Sequence, residues 1–222
     1  MDDKSKQIIK GVSNLMKLKY LISITLALVL TVVLSACGQN SDDSQHHNAK
    51  YAPKNATPLS KIQIFKSDEK GKKLTEKEMD EKLKAYLKAN NDIIDNKYVL
   101  QHQLDEQYDG NQKVSKKLDS DLRDLANIAT KNQMNFESYI KDNKVPANEK
   151  EDIKRIEKYF KAVNHKAAQA DQQLEELSYS PNNTVNVVDV PTNYAGDVNN
   201  KQQKKIKAFL KAHNLETKAI DK

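Results

Sequence analysis

Ile153, Ile156, Phe160, Val163, Ala167, Ala170, Leu174 and Leu177 follow one another at steps of 3-4-3-4-3-4-3. An apolar stripe with that rhythm is the seam of a long amphipathic helix, and a strand period cannot produce it. The seam must be covered by other apolar surface, so the segment dictates helix packed on helix. Two coverings are open: helices of the same chain, or a second copy in an intermolecular coiled coil. Two further amphipathic segments stand in the same sequence, which favours the first.

The earlier of these starts at Thr75-Glu76-Lys77-Glu78, a capping box in which the threonine hydroxyl and the glutamate satisfy free backbone donors at a helix start. Met79, Leu83, Tyr86, Leu87, Ile93, Ile94, Tyr98, Leu100 and Leu104 then form one apolar face, and Gly110-Asn111 stops it. The next segment carries Val114, Leu118, Leu122, Leu125, Ala129, Phe136 and Ile140. These are in phase when Asn132 occupies a seam position; a break near residues 132–135 is the alternative. Val145-Pro146 ends this segment and Ser180-Pro181 ends the third, because a residue before proline avoids helical geometry. Each segment is about thirty residues, or roughly 45 Å of helix. Five Gly, five Pro and no Trp argue against a sandwich or barrel, which needs many turns. The expected fold is mainly α. It is an antiparallel three-helix bundle over residues 61–180, with a disordered N-terminal tether and a small mixed C-terminal extension over 181–222. Small Ala167 and Ala170 are expected to make room for the Tyr98 ring.

The flanks read differently. Residues 38–60 are Gln, Asn, Ser, Asp and His with almost nothing apolar, the composition of a flexible tether. Ile62 and Ile64 alternate with Lys61 and Gln63 until Phe65 breaks the pattern, as in a short strand or an extended lead-in, and Lys70-Gly71-Lys72 reads as a turn. Past the third segment, the β-branched residues 184–190 read as a strand or as extended chain. After a loop over 193–199, residues 201–213 form a short helix presenting Ile206, Phe209 and Leu210, capped by Asn199 or Asn200. Residues 215–220 either pair with 185–190 or lie against the bundle.

Near the start of the chain, Lys17 and Lys19 precede an apolar run over 20–34, which ends at Leu34-Ser35-Ala36-Cys37. Cys37 is the only cysteine, so no internal disulfide can form. Ser23, Thr25 and Thr31 dilute the run, and no basic cluster follows to stop transfer, which argues against a transmembrane anchor. The charge, the apolar stretch and the small residues before the cut are those of a secretory signal, and the last four resemble the lipobox of bacterial lipoproteins. With the Lys/Asn-rich, Gly-poor composition, residues 16–37 look like the start of a surface lipoprotein from a low-GC Gram-positive bacterium. The resemblance implies a signal peptide over 1–36, cleavage between Ala36 and Cys37, and a diacylglyceryl thioether on Cys37. It also implies a lipidated cysteine and tether over 37–60, and a protein held at the extracellular face of the cell membrane. Translation starts at Met1 or at Met16; the anchor is the same either way.

The remaining residues contain no H-E-x-x-H, no phosphate-binding glycine loop, no G-x-S-x-G and no paired-cysteine metal motif. The expectation is no enzyme, no catalytic residue and no cofactor. His102, His165 and His213 read as lone solvated side chains on polar helix faces, and no metal site is assigned. His46-His47 beside Asp42-Asp43 offers metal-ligand types, but on a tether without fixed geometry. Tyr86, Tyr98 and Tyr159 read as core, leaving Tyr108, Tyr179 and Tyr194 as the only candidate aromatic platforms for a glycan.

Lys201, Lys204, Lys205, Lys207 and Lys211 crowd the last helix, with no acid between Asp197 and Glu216. They are either a solvated face or a contact strip for anionic headgroups or envelope polymers. Five of the 37 basic and two of the 31 acidic residues precede Cys37, which leaves the rest with a net charge of about +3 and no footprint for nucleic acid. The functional expectation is a lipid-anchored helical binding or structural module. Its partners are the membrane, through Cys37, and anionic envelope polymers or an unidentified surface protein. A solute-binding or substrate-presenting lipoprotein and an extracytoplasmic envelope enzyme are the alternatives.

Overall fold

Thr75 and Glu78 close the capping box. The Glu78 N–H donates to Thr75 Oγ1 at 3.3 Å and the Thr75 N–H donates to Glu78 Oε2 at 2.9 Å. From this start α1 runs over Glu76–Gln107. The computed structural model describes residues 52–107, 114–179 and 185–220, all within one folded unit. The expected signal peptide, Cys37, the tether up to residue 51, the Gly110-Asn111 stop and Ser180-Pro181 lie outside the described residues.

Helix α2 covers Lys116–Asp142, with Ser115 Oγ accepting from the Leu118 N–H. It passes through Asn132 without interruption. Asn132 sits in the seam because its Oδ1 accepts the Phe65 N–H at 2.8 Å, satisfying a buried backbone donor of the lead-in. The third segment is not one rod. It comprises α3 (Lys150–Val163), α4 (His165–Ala168) and α5 (Ala170–Tyr179), with single-residue interruptions at Asn164 and Gln169. Helix α6 (Asn200–Ala212) is capped by Asn199, whose side chain accepts from the Gln202 N–H at 3.0 Å.

The protein is mainly helical, and no strand occurs among the described residues. α1, α2 and the broken third segment form the antiparallel bundle, and its seams are covered within the chain. One end of the core gathers Phe65, Met79, Leu83, Tyr86, Phe136, Ile153, Ile156 and Phe160, with Ile206 and Leu210 of α6 docked on it. The Tyr86 and Phe136 rings stack at 3.8 Å, and Phe65 meets Phe136 edge-on at 5.2 Å. The other end gathers Ile93, Leu100, Leu104, Leu118, Leu122, Leu125, Ala167, Ala170 and Leu174. Burial of one such leucine, isoleucine or phenylalanine stabilises by about 1.5–3 kcal/mol.

Two further expectations are corrected. Tyr98 is half-buried against the first cluster, whereas Ala167 and Ala170 belong to the second. The position facing inward is its neighbour Lys97, because the true stripe of α1 is 79, 83, 86, 90, 93, 97, 100, 104. Residues 57–60, given to the tether, already lie against the bundle. The Thr57 hydroxyl donates to Asp92 Oδ1 at 2.8 Å, and Asn96 Nδ2 donates to the Thr57 carbonyl at 2.9 Å. Where alternatives were open, 62–64 and 185–190 take the extended form rather than strand, and 215–220 lies on the bundle, with the Ala219 N–H donating to Asn91 Oδ1 at 2.9 Å. An isolated bridge joins Lys73 and Lys144; beside it Gly71 adopts φ +69°, as the expected turn requires.

Candidate functional site

Pro146 begins a turn in which its carbonyl accepts the N–H groups of Glu149 and Lys150, both at 3.1 Å. That turn delivers Glu149 to the foot of α3, one helical step ahead of Ile153, Ile156 and Phe160, so its side chain points inward with them. The second contributor is Asp80, beside the buried Met79 near the start of α1. The third is His213, at the C-cap of α6. Here Asn214 takes the left-handed conformation at φ 53°, the Leu215 N–H donates to the Leu210 carbonyl at 2.8 Å, and the Asn214 N–H donates to the Lys211 carbonyl at 3.3 Å. This is a Schellman ending with asparagine in the glycine position. It turns the chain back onto the bundle and leaves the imidazole stacked beside Phe209, at 4.2 Å between ring centres.

His213 Nδ1 lies 2.8 Å from Asp80 Oδ1 and 4.0 Å from Glu149 Oε1, and one donor atom from each residue fits within 4.8 Å of the other two. The Glu149 side chain is 1 % exposed, His213 17 % and Asp80 26 %. Neither Glu149 oxygen has a hydrogen-bond partner. Burial pushes the Glu149 carboxyl above its ordinary value; His213 opposes the shift, while Asp80 and Glu76 add to it. Imidazole nitrogen and two carboxylate oxygens make up a donor set able to hold a divalent transition ion and leave a fourth position open.

His213 is therefore not the lone, solvated side chain expected of it. His102 and His165 are also half-buried: His102 Nε2 is 3.4 Å from Glu106 Oε1, and the His165 ring tilts against Tyr194 at 4.8 Å. Tyr86 and Tyr159 are core, as expected. Of the candidate glycan platforms, Tyr194 is half-buried, while Tyr108 and the Tyr179 side chain lie outside the described residues.

The five lysines of α6 are all exposed, on the side away from buried Ile206 and Leu210. Lys207 and Lys211 border an open cleft of about 790 Å³, across which lie Lys88, Asp92 and Asp95 of α1. Leu210, Leu215 and Ile220 add apolar lining beside these charged groups. Met134, 60 % exposed, is the one large apolar side chain left open among the described residues, so no apolar contact patch forms there.

Lys97 is 2 % exposed, and its ammonium donates to the Val163 carbonyl at the break between α3 and α4. Burial lowers its pKa to about 7, with Asp189 opposing the shift. Next to Val163, Asn164 Nδ2 donates to Asn90 Oδ1 at 2.7 Å, both side chains buried.

Compared with protein families, curated proteins and solved structures, the chain matches none. No described helix is long and apolar enough to cross a membrane.

Proposed function

We propose that the chain is a lipid-anchored lipoprotein of the extracellular membrane face whose helical bundle serves as a binding or structural module rather than as an enzyme. The observation that carries this reading is the sole cysteine, Cys37, at the end of an apolar run and preceded by Ser35 and Ala36. Two acyl chains, each buried CH₂ contributing about 0.8 kcal/mol, hold a protein at a membrane without a spanning helix. The contact surface of the module is the basic face of α6. It carries the five lysines outward while Ile206 and Leu210 fix the helix to the bundle, and its partners are anionic headgroups or envelope polymers. The small apolar exposure argues for this charge-based contact over docking through a greasy patch.

The anchor is tested by replacing Cys37 with Ala and labelling cells with a palmitate analogue. The parent chain is expected to take up label and fractionate with membranes, and Cys37→Ala to lose both properties. A labelled, membrane-bound variant overturns the assignment.

A further inference from the structure

We propose that Asp80, Glu149 and His213 form a binding site for a divalent transition-metal ion of the zinc class, and that the ion fastens the end of α6 to α1 and the foot of α3. The three donors come from three separate elements that share no local sequence motif, yet one atom from each falls within 4.8 Å of the others. Donors bound to a tetrahedral ion at about 2.0–2.1 Å stand roughly 3.3 Å apart. The observed 2.8 Å and 4.0 Å from His213 bracket that spacing, and the two carboxylate oxygens lie within 4.8 Å of each other.

Glu149 is the independent observation that points to a ligand. A carboxylate 1 % exposed with no partner on either oxygen is among the costliest arrangements a core can hold. Its surroundings add negative charge, with Asp80 and Glu76 near and only His213 to offset them. A cation bound between these donors would neutralise the cluster. Mixed imidazole and carboxylate donors suit Zn²⁺, whereas an all-oxygen set would suit Ca²⁺ or Mg²⁺. Asp80, a quarter exposed, gives the ion a way in and leaves the fourth position to water.

A bound ion would act on the fold. The apolar hold of α6 on the bundle is limited to Ile206, Leu210 and the half-buried Phe209, and the ion adds a second fastening at the helix end. Ligand that binds only the folded arrangement stabilises it by mass action.

The test is titration of the full chain in detergent with ZnCl₂, by calorimetry and by thermal unfolding. One saturable site is expected, with a rise in unfolding temperature that EDTA reverses. Glu149→Gln and His213→Ala should each weaken binding by more than about 100-fold, beyond the effect of losing a supporting partner. The double variant His46→Ala with His47→Ala controls for the histidine pair near the N-terminus and should bind as the parent does. Circular dichroism is recorded first, and Asp80→Asn replaces any variant that loses helix. Absence of saturable binding, binding that survives either ligand substitution, or loss in the His46/His47 control overturns the proposal.

Discussion

Lys97 occupies a seam position of α1 where a leucine would pack, and the chain meets the cost by giving its ammonium the Val163 carbonyl. Desolvation disfavours the charged form, which is why its pKa falls to about 7. In the unfolded chain the same group titrates near 10.4. Between those two values the unfolded state holds a proton that the native state lacks, so the lysine's penalty is fully present below about pH 7 and fades as pH rises toward 10. Lys97→Met is therefore expected to stabilise the protein at pH 7, by on the order of a few kcal/mol. The difference should shrink steadily as urea denaturation is repeated up to pH 10. A gap that stays constant across that range would mean the lysine is charged in both states. Asn90, Asn132 and Asn164 are buried where each bundle segment passes from one apolar cluster to the other, and the Lys97 ammonium reaches the Val163 carbonyl beside Asn164.

At the scale of elements, the segment 185–190 is instructive because it has the composition of a strand and no strand to pair with. Two glutamines take the place of a ladder. Gln101 Oε1 of α1 accepts the Val187 N–H at 2.9 Å, and Gln173 Oε1 of α5 accepts the Asn186 N–H at 3.0 Å, while Val185 and Val187 enter the second cluster. Gln101→Leu leaves a buried donor unsatisfied, which costs about 1–3 kcal/mol. Hydrogen exchange should show the Val187 amide losing protection while Phe136 in α2 keeps its own. Unchanged protection at Val187 would place the hold on this segment elsewhere. Features written in neighbouring residues were legible in the sequence: the Thr75–Glu78 box, the Asn199 cap, and the seams with Asn132 in register. The break at Asn164 was not, because the apolar rhythm runs straight across it. What marks the break is a side chain from another helix. The same holds for the three-donor site. Glu149, four residues before Ile153, and His213, three after Leu210, sit in phase with the apolar stripes, and that phase was the available signal. Nothing local ties residues 80, 149 and 213 together; the docking of α6 does.

For the whole molecule, the decisive quantity is where charge lies rather than how much there is. The part beyond Cys37 has a net charge of about +3, too little for long-range attraction. The five outward lysines of α6 concentrate positive charge on one face, and near an anionic surface each contributes up to about 1 kcal/mol. Screening over about 8 Å at physiological ionic strength confines that effect to near contact. On the proposed lipoprotein reading, a covalent lipid would hold the domain near the membrane, so that a weak, repeated contact would suffice. On the same proposal, residues 38–222, which lack Cys37, should bind anionic vesicles at low salt, release them as salt is raised, and ignore neutral vesicles. Changing Lys201, Lys204, Lys205, Lys207 and Lys211 together to Gln should abolish the difference without loss of helix, because all five are exposed. Equal binding to both vesicle types, or none to either at low salt, would leave the lysines as a solvated face and require the module to act through another surface.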